Sequence, residues 1–348
     1  KMVKDKKRGI YKPKIDKNKC NKCGLCLRVC PGWQTKINND LIGKNLKIFS
    51  GKSRNSSLSK ISSSGGSITE ILLCLIRSGA IDGALVTTMN GLVPKPIIAQ
   101  TEEDIISAIG SKYCPVPLNT KLRDILESKN KKFAFVGLPC HIQGLNNLIK
   151  IKPELGKKIY VTIGLFCSRV PTFFATEALL KKLNLKAESI KNIDYRYRYN
   201  MIITLKNGHK KVIPYEDYWN SDFKYLISPR CIMCHDRLND FSDLSFGDDW
   251  ENKSNIIIVR TKKGLKVIKK MKSLKLQELT SEETNNLKKQ SIFKKENLAA
   301  RLFFLKILGI KTPRFDKKIL KPKIYAYPQA LLFLIRTQIA IIKSQLCK

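Results

Sequence analysis

The chain has 348 residues, 43% of them apolar, which is enough for an ample core and more than one domain and excludes a disordered chain. Lys and Arg number 66 against 28 acids, a net charge of +38. The bases are scattered among Asn and Ile along the whole sequence, which describes a solvated basic surface better than a nucleic-acid footprint and leaves acidic partners open. Eleven cysteines fall in clusters and no signal-peptide pattern is visible, so the expected setting is a reducing, cytoplasmic compartment with metal ligation in place of disulfides. No apolar run reaches the roughly 18 residues of a spanning helix.

Residues 1–35 carry "CNKCGLCLRVCP". Cys20, Cys23, Cys26 and Cys30, followed by Pro31, have the bacterial ferredoxin spacing of a 4Fe–4S cluster. Zinc favours paired C-x-x-C steps over such a comb. Gly24 is expected to let the backbone pass close to a sulfide, and Pro31 to turn the chain after Cys30. In two-cluster ferredoxins the fourth cysteine serves the other cluster. Residues 1–16 read as the hairpin joining two combs, so the natural chain is expected to begin upstream, with a second comb. Otherwise the fourth ligand is Cys30 itself or a remote cysteine.

Residues 36–63, rich in Ser, Lys and Asn, read as a linker. Ser64-Gly65-Gly66 precedes a helical apolar pattern (Ile68, Ile71, Leu72, Leu75, Ile76) ending at Gly79, and a buried strand follows at 84–87. A glycine turn opening a helix can bring N–H groups to a phosphate, although an ordinary capped helix has the same signature. Residues 102–110 read as helix. "KKFAFVGLPCHIQGL" reads as strand, turn and helix with Cys140 at the turn, and "KIYVTIGLFCS" as a buried strand with Cys167 at its carboxyl end. The alternation predicts a parallel or mixed α/β sheet, whose ligand edge lies at the carboxyl ends of its strands. From 190 to 215 the pattern alternates around Asn207-Gly208, a hairpin signal. "SNIIIVRTKKG" reads as a last buried strand and turn. Residues 263–312 read as mostly helical, and the tail from Pro328 as an apolar, basic helix that docks on a membrane, a partner or its own domain.

Cys140, Cys167, Cys231 and Cys234 form a second constellation able to bind a cluster or a zinc ion, with His235 an additional candidate. Cys74 reads as core, Cys114 as a minor candidate ligand, and Cys347 as idle.

"SSGG", "GSKY", "VGLPC", "IGLFC", "RCIMCHD", "DLSFGDDW" and "IIIVRTKKG" occur in one order. Together they make residues 10–265 resemble the coenzyme F420 hydrogenase/dehydrogenase beta-subunit family. The resemblance implies an α/β (α+β) iron–sulfur flavoprotein: a ferredoxin-type segment, a mixed-sheet flavin and iron–sulfur domain at 64–265, and a helical region at 266–348. It implies a 4Fe–4S cluster in the opening comb and another on Cys140, Cys167, Cys231 and Cys234. It also implies an FAD pocket formed by Ser64, Gly65, Gly66, Ser67, Ser111, Lys112 and Tyr113, with Lys112 a cation near the phosphates or the N1–C2 oxygen region. Ferredoxin or a redox subunit would be the partner and an organic molecule such as coenzyme F420 the acceptor. His141 stands where Gln is expected. No acid–base triad is expected; His141 and Tyr113 read as structural or flavin-contact residues within reach of a proton-shuttling role. Two rival readings are a non-catalytic electron-transfer subunit and a basic iron–sulfur nucleic-acid binder. The latter lacks any helix-turn-helix or basic–aromatic signal.

Overall fold

The computed structural model describes residues 1–129, 131–197 and 200–346; Cys347 lies outside them. Eight strands form the main sheet, in the spatial order 274–278, 47–53, 254–259, 244–249, 159–165, 133–137, 83–90 and 93–99. The central four (83–90, 133–137, 159–165, 244–249) run parallel, and the flanking pairings are antiparallel. This is the mixed α/β sheet expected. Its parallel strands are apolar on both faces ("FAFVG", "IYVTIGL") because helices cover both. Ile71 and Leu75 of the helix Ser67–Arg77 and Val267 and Ile268 of Lys262–Lys269 pack in one core. Leu122, Ile125, Ile142 and Leu145 pack in another.

The hairpin read at 190–215 is part of a three-stranded antiparallel sheet of Ile190–Tyr197, Asn200–Leu205 and Lys210–Pro214, with Gly208 at φ +87 in its turn. Its apolar face packs on Phe173, Leu179 and Leu180 of the helix Phe173–Lys182.

Two boundaries differ from expectation. The polar stretch 36–63 is not a linker: Lys47–Ser53 is an interior strand between Ser254–Val259 and Leu274–Glu278, and Ser56–Ile61 is a helix. Its serines misled because Ser50 and Ser53 are buried, donating to Asp249 (2.6 Å) and Glu70 (2.7 Å). Nor is 266–348 wholly helical, since Leu274–Glu278 is the sheet's edge strand. The segment 1–35 is a hairpin, Met2–Asp5 with Ile10–Pro13, followed by the comb and by Gln34–Thr35, which pairs in parallel with Arg314–Phe315. Among the described residues, no helix is long and apolar enough to cross a membrane.

Candidate cysteine site and adjoining cavity

Neighbouring parallel strands deliver two of the four remote cysteines. Phe133–Gly137 leads into the helix Pro139–Ile151, with proline in its first turn and Cys140 next to it. Ile159–Leu165 ends two residues before Cys167, whose N–H donates to the Arg237 carbonyl at 2.8 Å. The short helix Pro229–Ile232 carries Cys231, and Cys234 follows; the Val170 N–H donates to the Cys231 Sγ at 3.2 Å. All four thiols lie within electrostatic reach of one another. Burial pushes the Cys140 thiol up to about 12, and Cys234 and Cys231 add to the rise. Burial raises Cys167 further, with Cys231, Cys140 and Cys234 adding to it. The structure thus brings together the set expected from sequence.

Around the thiols lie cations and unpartnered polar atoms. Burial alone would lower the pKa of Lys294, but Cys234, Cys167 and Cys231 raise it overall. Arg301 is buried and donates to the carbonyls of Ile232, Phe293, Cys234 and Lys294, bracing the Cys231–Cys234 loop. His235 is fully buried, and neither ring nitrogen has a hydrogen-bond partner among the described residues. Burial, then Lys295, Arg230 and Lys294, hold it neutral, well below the usual imidazole range. Arg230 leaves Nε and Nη1 buried with no hydrogen-bond partner among the described residues. An anionic group with acceptor sulfurs fits such a shell. Among the described residues, no three His, Cys, Asp or Glu side chains are grouped to hold one metal ion. A cubane makes a different demand, because each of its thiolates takes a separate iron.

The four comb cysteines are exposed. Gly24 opens the helix Leu25–Val29 at φ +70, a left-handed backbone that glycine adopts without strain. The end of the comb is tied to the second constellation. Asn147, on the helix that opens with Cys140, donates to the Val29 carbonyl at 3.4 Å, and Arg230, next to Cys231, donates to the Pro31 carbonyl at 2.8 Å.

A cavity of about 500 Å³ opens at the same sheet edge, lined by Ser64, Gly66, Ser67, Ser111, Lys112 and Tyr113 and reaching His141 and Cys167. Gly65 is the exception among the expected residues: it is absent from the lining and lies flat on the sheet, where a Cβ would come within 2.9 Å of the Gly51 carbonyl oxygen and 3.0 Å of the Asn255 nitrogen. Ser64 and Ser67 fasten the turn by donating to the carbonyls of Ser254 (2.5 Å) and Gly51 (2.9 Å). Gly66 then opens the helix Ser67–Arg77, whose first N–H, that of Ser67, donates to Asn255 Oδ1 at 3.2 Å, and Ile68 and Thr69 of its first turn line the cavity.

Lys112 lines the cavity with its ammonium turned to the backbone. Its ammonium donates to the carbonyls of Ala108 (2.6 Å), Ile109 (2.8 Å) and Gly110 (2.8 Å), which matches its three protons. It caps the end of the helix Glu102–Ser107, and burial lowers its pKa to about 8. The cation that sequence reasoning missed is Arg196, which pairs with Asp248 through two bonds of 2.6 and 2.8 Å, donates to the Ser63 carbonyl and lies 4.7 Å from the Trp250 ring centroid. An Arg in the "DYRY" end of the strand Ile190–Tyr197 and the Asp and Trp of "GDDW" carried the available signal. Burial lowers the His141 pKa to about 4, so it is neutral at pH 7. Cys114 lies apart from the four, in the core of the small sheet; burial raises it to about 12. Cys74 packs against the main core, as read.

The comb alone defines an iron–sulfur protein of the electron-transfer class. Residues 12–34 match the 4Fe-4S binding domain model. Two further models, for the amino-terminal and carboxyl-terminal parts of the coenzyme F420 hydrogenase/dehydrogenase beta subunit, match residues 48–123 and 130–285. The chain belongs to the coenzyme F420 hydrogenase/dehydrogenase beta-subunit family.

It is 29% identical over 297 residues to the coenzyme F420-dependent sulfite reductase of Methanocaldococcus jannaschii, covering 74% of this chain and 44% of that protein. It is 26% identical to the chloroplastic 7-hydroxymethyl chlorophyll a reductase of Oryza sativa, covering 52% of this chain and 39% of that protein. The chain therefore spans less than half the length of these two relatives. The coenzyme F420 hydrogenase subunit beta of Methanosarcina barkeri is 25% identical, with 66% of this chain and 79% of that one covered. A chain in the solved F420-reducing [NiFe] hydrogenase complex of Methanosarcina barkeri shares the fold, with a TM-score of 0.61, 21% identity, and coverage of 80% of this chain and 98% of that one.

Proposed function

We propose that this chain is an iron–sulfur flavoprotein oxidoreductase that exchanges electrons with a ferredoxin-type donor and an organic acceptor such as coenzyme F420. Contiguity carries this reading: the comb is tied through Arg230 and Asn147 to the remote thiols, and one of these, Cys167, lines the large cavity. Cys20, Cys23, Cys26 and Cys30 would hold one 4Fe–4S cluster and Cys140, Cys167, Cys231 and Cys234 a second. FAD would take the cavity at Gly66, Ser67, Ser111 and Tyr113. When bound, the clusters supply one-electron steps and the flavin joins them to two-electron chemistry.

The chain's own residues bind and orient. Asn255 Oδ1 takes the Ser67 N–H at 3.2 Å, so the N–H groups this helix start would present to an anion are those of Ile68 and Thr69. The Arg196–Asp248 pair and Trp250 form a polar and aromatic wall. His141, held neutral by burial, accepts the Leu138 N–H at Nδ1 (3.4 Å) and so positions the start of the helix Pro139–Ile151 beside the cavity. Lys294 and Arg230 place positive charge beside the thiolates.

The test is anaerobic purification with iron, sulfide and released flavin measured per chain. About eight irons and one FAD support the reading; zinc without flavin overturns it. The name of the Methanosarcina barkeri relative, a hydrogenase subunit, favours one second reading, an electron-transfer subunit that needs a catalytic partner. Cofactor-loaded chain that turns over acceptor only after a partner is added would select it.

A further inference from the structure

We propose that the carboxyl-terminal helix Ala326–Leu346 is an interfacial helix by which the chain lies on an anionic lipid surface, an assignment independent of the redox reading. The helix has three sides. Ala326, Ala330, Thr337 and Ala340 are buried against the body of the protein. Phe333 packs edge-on against Phe293 at 5.6 Å, and Arg336 donates to the Tyr225 hydroxyl at 3.0 Å, which fixes the helix about its own axis.

Leu331, Leu332, Ile335, Ile339 and Ile342 face outward, each 42–48% exposed. At 3.6 residues per turn these five fall within about 100° of arc and run about 17 Å along the axis, forming one apolar stripe. Arg336 and Lys343 border it. The helix Leu298–Ile307, packed against the tail through Phe303 and Tyr327 (5.6 Å), adds an exposed Phe303 and ends in Ile307 and Leu308, 66% and 65% exposed.

Charge selects the occupant. Past the buried Arg301, from residue 302 onward, the sequence has ten Lys and Arg and one acid, Asp316, whose carboxylate accepts the Ile37 N–H at 2.8 Å. An outward apolar stripe with a cationic fringe is what binding in the plane of an anionic bilayer requires. No helix among the described residues is long and apolar enough to cross the bilayer, so this one lies on it.

The test is co-sedimentation of the full chain with phosphatidylcholine vesicles, with and without phosphatidylglycerol. Binding is expected only with phosphatidylglycerol and is expected to weaken as salt rises. A chain of charge +38 can adhere by charge alone, so the deciding variant is Leu331→Ser/Ile335→Ser/Ile339→Ser. It should bind about tenfold more weakly while its far-UV circular dichroism is unchanged. Should that variant fail to fold, Lys311→Glu/Lys343→Glu is expected to show the same loss. Undiminished binding by the folded variants, no binding by the folded parent at low salt, or a dimer that the serine variant converts to monomer would each overturn the proposal. Iron and flavin content, read on the same samples, reports separately on the redox reading.

Discussion

Arg230 Nη2 donates to the Pro31 carbonyl across 2.8 Å, joining the residue before Cys231 to the residue after Cys30. Arg230→Gln removes a charged hydrogen bond, worth roughly 1.5–3 kcal/mol. The expected result is faster amide exchange across residues 25–35 and little change in the main sheet. Unaltered exchange in that segment would show that the comb is held by other contacts.

Gly247 stands where a side chain cannot. A Cβ there would lie 1.9 Å from Phe166, the residue before Cys167. Gly247→Ala should cost about 1–3 kcal/mol of stability by overpacking and displace Cys167 with its neighbour. Thermal unfolding should fall, and iron retained after anaerobic reconstitution should fall with it. Full iron retention in a destabilised variant would separate Phe166 from the thiol.

The buried Lys112 ammonium gives a pH signature. Its folded pKa, lowered to about 8, lies below the ordinary lysine value of 10.5, so between these values the unfolded chain binds more protons. Stability contributed by this group therefore rises with pH from about 8 to 10.5, by about 3 kcal/mol, and is flat below. Lys112→Met should abolish that rise in denaturant titrations. A rise that persists in the variant would assign it to another group.

Lys294 holds its positive charge among three thiols. With the proposed cluster bound, a buried cation favours the reduced form, which carries one more negative charge. Lys294→Met should lower the cluster's potential by tens of millivolts, where about 59 mV is a tenfold change in a one-electron equilibrium. Spectroscopically monitored redox titration reads this directly, and a potential that stays put or rises would deny Lys294 that role.

Sequence revealed the parts whose chemistry is periodic or spaced: the comb, the apolar parallel strands, the carboxyl-end placement of Cys140 and Cys167, and the hairpin turn at Asn207-Gly208. It hid Lys47–Ser53 because strand serines that bond to buried carboxylates look like linker serines. Lys294, Arg230 and Arg301 were hidden by abundance: among 66 basic residues, nothing local marks the few that turn inward. Lys112 was found as a cavity residue, but only the three-dimensional path of residues 108–110 shows that it caps carbonyls. Gly65 and Gly66 are adjacent, yet one answers to contact and the other to backbone conformation.

The sheet order has a consequence for how the protein is made. Lys47–Ser53 lies between strands formed some two hundred residues later, and the comb's tethers are residues 147 and 230. A nascent chain therefore cannot close its sheet or fully anchor its comb until most of residues 20–278 have been synthesised, and such distant pairings form slowly. The exposed thiols of Cys20, Cys23, Cys26 and Cys30 spend that interval unshielded, so maturation favours a setting in which cofactor delivery outruns oxidation.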